Sequence, residues 1–261
     1  MPSAKPDDGR STSEGLYLYG FVAADAPSSY GPIGLSGSAD EVFTVPQNNL
    51  SAVVSNTEVK VPLPVPDNIL AHTRVLEAIM KQTTVVPAKF GMVFASRAAL
   101  LKLMRQNAVG LGEMLRMLAN KVELGLQVAW RKEVLQAMIT AMADSDAEIA
   151  ELKREAGKGN GFKIALHLGE LVQTKVQGKT DRLCQLLLSP LMQAADDTRH
   201  KDVRTDRMVM NEAFLVDRER ESQFDAIVEE LAAQHGDQLE FNYSGPWPPF
   251  SFVAVKIDRV E

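Results

Sequence analysis

The chain has 261 residues, 45% hydrophobic and 24% charged, with a formal net charge of −6. That balance excludes a largely disordered chain, and without a dense Lys/Arg run it gives no electrostatic support for binding nucleic acid or an anionic membrane. The length favours two ordinary domains over one large one. The single cysteine, Cys184, excludes an intramolecular disulfide framework or a cysteine-based metal cluster and points to a reducing, intracellular setting.

Met1 to Glu14 mixes charge with Pro, Ser, Gly and Thr and lacks the apolar core of a secretion signal. It reads as a disordered tail (1–14) on a cytoplasmic protein, since no run approaches membrane-spanning length. Leu16 to Val22 reads as a first strand, followed by a Gly-, Pro- and Ser-rich loop from Ala26 to Gly37. Glu41 to Val45 and Leu50 to Ser55 predict a hairpin around Pro46-Gln47-Asn48-Asn49. Val61-Pro62-Leu63-Pro64-Val65-Pro66 predicts an extended linker within the domain.

Asp67 is the expected cap of a helix with Ile69, His72, Leu76, Ile79 and Met80 on one face. Val85 to Gly91 predicts a short strand and turn, and Ser96 caps a longer helix that Gly110 and Gly112 are placed to break. Val122 to Trp130 alternates as a strand, and Lys132 to Ala195 is helical apart from a break at Gly157 to Gly161. A charged loop, Asp196 to Arg207, precedes a strand (Met208 to Val216), a helix (Glu219 to His235) and final strands from Leu239.

The last of these holds the most informative segment, Phe241 to Val253, in which two aromatic-rich runs flank Pro246, Trp247, Pro248 and Pro249. Three prolines cannot sit inside a sheet, so the segment belongs at an edge or turn, a stiff corner carrying Trp247. That side chain either caps its own core or anchors another protein. The class is α+β, in two small sheet-and-helix domains with long amphipathic helices in the second half. An N-terminal α+β domain is expected over 15–120, and a C-terminal α+β domain over 121–261 with a helical insert at 132–195.

Chemistry is harder to find. Gly178-Lys179-Thr180 ends like a phosphate loop, but position 173 is Gln173 and the tripeptide lies in a helical pattern. His72, His167, His200 and His235 are scattered, with no metal-ligand spacing; His72 and His167 read as core-edge residues. Cys184 lies in a Leu-rich run that predicts a buried, inert thiol. Asp196-Asp197 reads as solvated charge. No catalytic, cofactor or metal set emerges.

Tyr17-Leu18-Tyr19-Gly20, Val86-Pro87-Ala88-Lys89-Phe90-Gly91, Val122-Glu123-Leu124-Gly125, Phe214-Leu215-Val216 and Tyr243 to Phe250 occur in the order seen in the gas vesicle protein F/L family (GvpF/GvpL). The chain resembles that family from about Leu16 to Val255; it departs from it at Lys89, where arginine is common, and after Glu123-Leu124-Gly125, where the family often has a basic residue and this chain has Leu126-Gln127. The resemblance implies two α+β domains, the first ferredoxin-like. It also implies a non-enzymatic accessory or minor structural protein that binds the shell protein GvpA and other accessory proteins during gas vesicle assembly.

Tyr243, Trp247, Pro248, Pro249 and Phe250 are the candidate partner-binding residues. An alternative is a small-molecule-binding or enzymatic α+β domain, with a pocket between the first sheet and the helix from Ser96 and Lys89 as its polar residue. A third is a homo-oligomer with purely structural contacts.

Overall fold

A computed structural model of the chain describes residues 15–35, 40–57, 61–156, 161–202 and 205–253. The tail expected at 1–14 lies outside the described residues, as does the break expected at Gly157 to Gly161 except for Gly161 itself, which is helical. The chain divides into two compact units: one runs to Lys121 and resumes at Trp247, and the other is Val122–Pro246. The α+β expectation holds, with separate sheets of six and four strands among the described residues.

The first unit is built around β1 (Gly15–Ala23), which is buried over nearly its whole length. It pairs antiparallel with β4 (Leu50–Thr57), from Gly15 opposite Thr57 to Ala23 opposite Leu50, with a bulge between Leu18 and Gly20. Gly20 is required there, because a Cβ would lie 2.7 Å from the Val86 carbonyl oxygen. β2 (Ser29–Gly31) and β3 (Val42–Gln47) extend the sheet beyond β4; β5 (Val86–Pro87) and β6 (Val93–Phe94) pair with β1 on its other side.

The predicted hairpin is present, but its connection is shorter than expected. Pro46 pairs with Ser51 inside the ladder, leaving Asn48-Asn49 as the turn. Asn48 has φ 55°, a left-handed conformation that asparagine tolerates.

α1 (Pro66–Met80) starts from Val65, with Pro66 in its first turn, so Asp67 is not the cap. Its carboxylate sits in the first turn instead, where it complements the helix dipole. The buried face is His72, Val75, Leu76 and Ile79; Ile69, expected inward, is exposed.

Ser96 caps α2 (Arg97–Gln106) as expected, its hydroxyl accepting from the Ala99 amide at 3.2 Å. The break before α3 (Ala108–Met117) falls at Asn107, and Gly110 and Gly112 lie within α3. Asn107 ends α2 by bonding the Leu103 carbonyl through both its amide side chain and its backbone N–H.

The second unit follows β7 (Lys121–Trp130) with three helices, α4 (Lys132–Ser145), α5 (Ala147–Ala156) and α6 (Gly161–Ala194). Then come β8 (Asp197–His200), β9 (Met208–Asp217), α7 (Glu221–His235) and β10 (Leu239–Trp247). The order strand, helices, strand, strand, helix, strand, with a sheet β10-β7-β9-β8, is the split arrangement of ferredoxin-like folds. It lies in the second unit, whereas the first opens with four strands before any helix.

Asp146 adds an unpredicted break, its carboxylate accepting from the amides of Glu148 and Ile149 to start α5. β8 lies within the predicted charged loop. It has no apolar residue of its own and is held by antiparallel pairing with the buried β9, from Asp197 opposite Leu215 to His200 opposite Glu212. Asp196 and Asp197 are not merely solvated, since they pair with Arg220 and Arg199.

Candidate functional site

The predicted corner residues are divided between the two units. Tyr243 lies on β10, at the edge of the second sheet, where Pro246 is tolerated in the same strand. Its ring stacks on Phe224 at 6.3 Å, and Phe224 packs on Phe214 at 5.1 Å. Its hydroxyl donates to the Asp225 carboxylate, and burial followed by that acidic neighbour raises the phenol above its usual range. Tyr243 is half-buried and fully engaged within its own unit. Two residues on, Gly245 has φ 128°, and a Cβ there would lie 2.9 Å from the Glu123 carbonyl oxygen. Only glycine passes that closely.

The remaining corner residues belong to the first unit. Pro248 and Pro249 are buried and Phe252 is 2% exposed, whereas Trp247 is 40% and Phe250 38% exposed. The expected second strand is a 3₁₀ turn over Phe250–Phe252. Two adjacent prolines supply no amide donors for a ladder, and the amides of Phe250 and Phe252 bond back to the carbonyls of Pro248 and Pro249. Proline burial and this tight turn hold the two exposed aromatics on a stiff support.

Beneath Phe250 lies an aromatic cluster that sequence reasoning did not assemble. His72 is in the core, 2% exposed, and not at its edge. Its ring meets Tyr17, Tyr19, Phe90 and Phe250 at centroid distances of 5.7, 5.6, 5.8 and 6.3 Å. A carbonyl only accepts, so His72 Nε2 carries the proton that it donates to the Ala88 oxygen at 3.1 Å. His72 Nδ1 therefore accepts from the Tyr17 hydroxyl at 2.9 Å, and that oxygen accepts from the Gly91 amide at 3.2 Å. Burial pulls the His72 pKa down to about 4, so the ring is neutral at ordinary pH. The available signal was parity: Tyr17 and Tyr19, two apart on one strand, share a face.

Exposed apolar residues continue from this cluster. Ile69 is one turn before His72 on α1, and Leu63, Val65 and Leu70 are exposed on the same stretch of chain. Lys89 is exposed in the segment between β5 and β6. A cavity of about 560 Å³ does lie against the first sheet, but α3 closes it and its polar lining is Gln47, Asn48, Asn49 and Arg116, without Lys89.

Elsewhere, Gly178-Lys179-Thr180 is inside α6, where Thr180 is buried and accepts from the Trp130 indole N–H at 3.0 Å. Cys184 is half-buried, less enclosed than expected, and burial raises its thiol pKa. Among the described residues, no group of three or more His, Cys, Asp or Glu is placed to hold a metal, and no helix is long and apolar enough to cross a membrane.

Residues 15–254 match the gas vesicle synthesis protein GvpL/GvpF family. Gas vesicle protein F1 of Halobacterium salinarum is 29% identical, over 94% of this chain and 95% of that protein. Gas vesicle protein L of a Streptomyces species is 28% identical, over 74% of this chain and 71% of its own length. The crystal structure of gas vesicle protein GvpF from an Anabaena species superposes with a TM-score of 0.79 at 25% identity, over 93% of this chain and 99% of that one.

Proposed function

The chain belongs to the gas vesicle GvpL/GvpF family, and from that premise we propose that it works by binding, as an accessory or minor structural protein of gas vesicle assembly. Its partners in this reading are the shell protein GvpA and other gas vesicle accessory proteins, met in the cytoplasm and on the vesicle. No catalysis is involved.

One observation carries the reading. Trp247 and Phe250 stand exposed on a support whose other members, Pro248, Pro249 and Phe252, are buried. Aromatics presented on a fixed backbone lose little conformational freedom on binding and are enriched among interface hot spots. Leu63, Val65, Ile69 and Leu70 add exposed apolar area of the kind that marks protein–protein surfaces.

The test is a pull-down of the purified protein against each co-encoded shell and accessory protein, repeated with the Trp247→Ala/Phe250→Ala variant. Loss of a partner in the variant supports the reading. Retention of every partner with normal vesicle formation removes this corner from the interface.

A further inference from the structure

An edge strand invites a further strand unless it is short, charged or interrupted by proline. Most edges of this chain are closed in one of those ways. β2, β5 and β6 have two or three residues each, and β8 has four, among them Asp197, Arg199 and His200. The edge of β3 beyond Thr44 is interrupted by Pro46, which has no amide to offer.

β10 is the exception. It ends the four-stranded sheet, is nine residues long, and holds no proline, lysine or arginine over residues 239–243. Gly245 and Pro246 interrupt only its far end. Glu240 and Asn242 are exposed and Phe241 and Tyr243 half-buried, and no backbone group of residues 239–243 bonds to a loop or turn among the described residues.

Charge decides what fits there. Glu221, Asp225 and Glu229 recur every fourth residue of α7 and so share one side of it. Asp225 accepts from the Tyr243 hydroxyl, and the Glu221 charge acts on the same phenol, which places this acidic stripe along β10. Residues 221–234 contain no Lys or Arg, and none of the three acids has an ion-pair partner among the described residues. On the strand itself Glu240 meets Arg207 at 3.6 Å. A second copy paired on this edge would set one acidic stripe against another, which opposes self-pairing.

We infer that the outer edge of β10 accepts, as an added strand, an extended segment of a partner protein that is apolar at its centre and carries lysine or arginine on either side. Main-chain bonds to β10 supply affinity, apolar side chains lie beside Phe241 and Tyr243, and the flanking cations meet Glu221, Asp225, Glu229 and Glu240. The surface is separate from the Trp247 corner and does not depend on it.

The experiment uses the full chain and three labelled synthetic peptides matched to the nine residues of β10. One alternates valine and threonine between lysine ends, one has glutamate ends, and one is the lysine-ended peptide N-methylated at every central amide, which keeps its charge but cannot join a ladder. Anisotropy titrations are run on wild type, on Glu229→Lys/Glu240→Lys and on Trp247→Ala/Phe250→Ala. Glu229 and Glu240 are both exposed, so the melting midpoint of the first variant should match wild type. The expected result is binding of the lysine-ended peptide, weakened at least tenfold by glutamate ends, by N-methylation and by Glu229→Lys/Glu240→Lys, and unchanged in the Trp247 variant. Equal binding of the lysine-ended and glutamate-ended peptides, undiminished binding of the methylated one, or no binding of any peptide overturns the inference. So does loss of binding in the Trp247 variant, or self-association in sedimentation that the lysine-ended peptide competes away.

Discussion

Phe250 lies over His72 with ring centroids 6.3 Å apart and planes inclined by 28°. This contact brings Phe250 back onto α1, 178 positions earlier, and seats an exposed aromatic on a buried neutral imidazole.

The His72 environment makes stability depend on pH in a stated direction. Its pKa falls from 6.5 to about 4 on burial. Between those values the unfolded chain holds a proton that the folded chain refuses, so stability is full above pH 6.5 and declines as pH falls toward 4, by up to about 3 kcal/mol. Denaturant midpoints measured across this range should fall with pH for wild type and flatten for His72→Phe, which keeps a ring and cannot charge. An equal decline in both would assign the effect to other groups.

The corner separates stability from presentation. Phe252→Ala empties a position 2% exposed and should cost about 3 to 5 kcal/mol. Trp247→Ala removes a side chain that is 40% exposed and should cost no more than about 1 kcal/mol. Thermal melts of the two variants check the contrast.

Gly245→Ala should destabilise the chain by about 2 kcal/mol or more, since its φ of 128° disfavours any Cβ and the Glu123 oxygen would lie 2.9 Å from it. Gly112→Ala, at an open helical position, is the control and should be neutral or slightly stabilising. Equal melting midpoints for the two would contradict the close passage at Gly245.

Tyr243→Phe keeps the stack on Phe224 but removes the hydroxyl donated to Asp225. The expected loss is about 1 to 2 kcal/mol, read as a lowered denaturant midpoint. No change would mean that water serves Asp225 equally well.

Elements with their own apolar periodicity were legible in the sequence. β1, the β3–β4 hairpin, the Ser96 cap and β7 are encoded in short windows, because alternation and capping are local properties. β8 was not legible: Asp-Thr-Arg-His becomes a strand only through its partner β9. The breaks at Asn107 and Asp146 depend on which backbone group a short polar side chain reaches, which composition does not reveal. Proline content marked the Trp247 corner as rigid. The burial of Pro248 and Pro249, and the stacking of Phe250 on His72, depend on contacts between distant parts of the chain, so the division into anchors and exposed aromatics emerged only in three dimensions.

The central claim is that the exposed aromatics of the corner contact a gas vesicle partner. The most direct measurement is the affinity of purified protein for solubilised GvpA, comparing wild type with Trp247→Ala and Phe250→Ala variants whose melting midpoints match it. The account predicts a loss of at least tenfold, about 1.4 kcal/mol, in at least one variant. Affinities equal to wild type in both folded variants would contradict it.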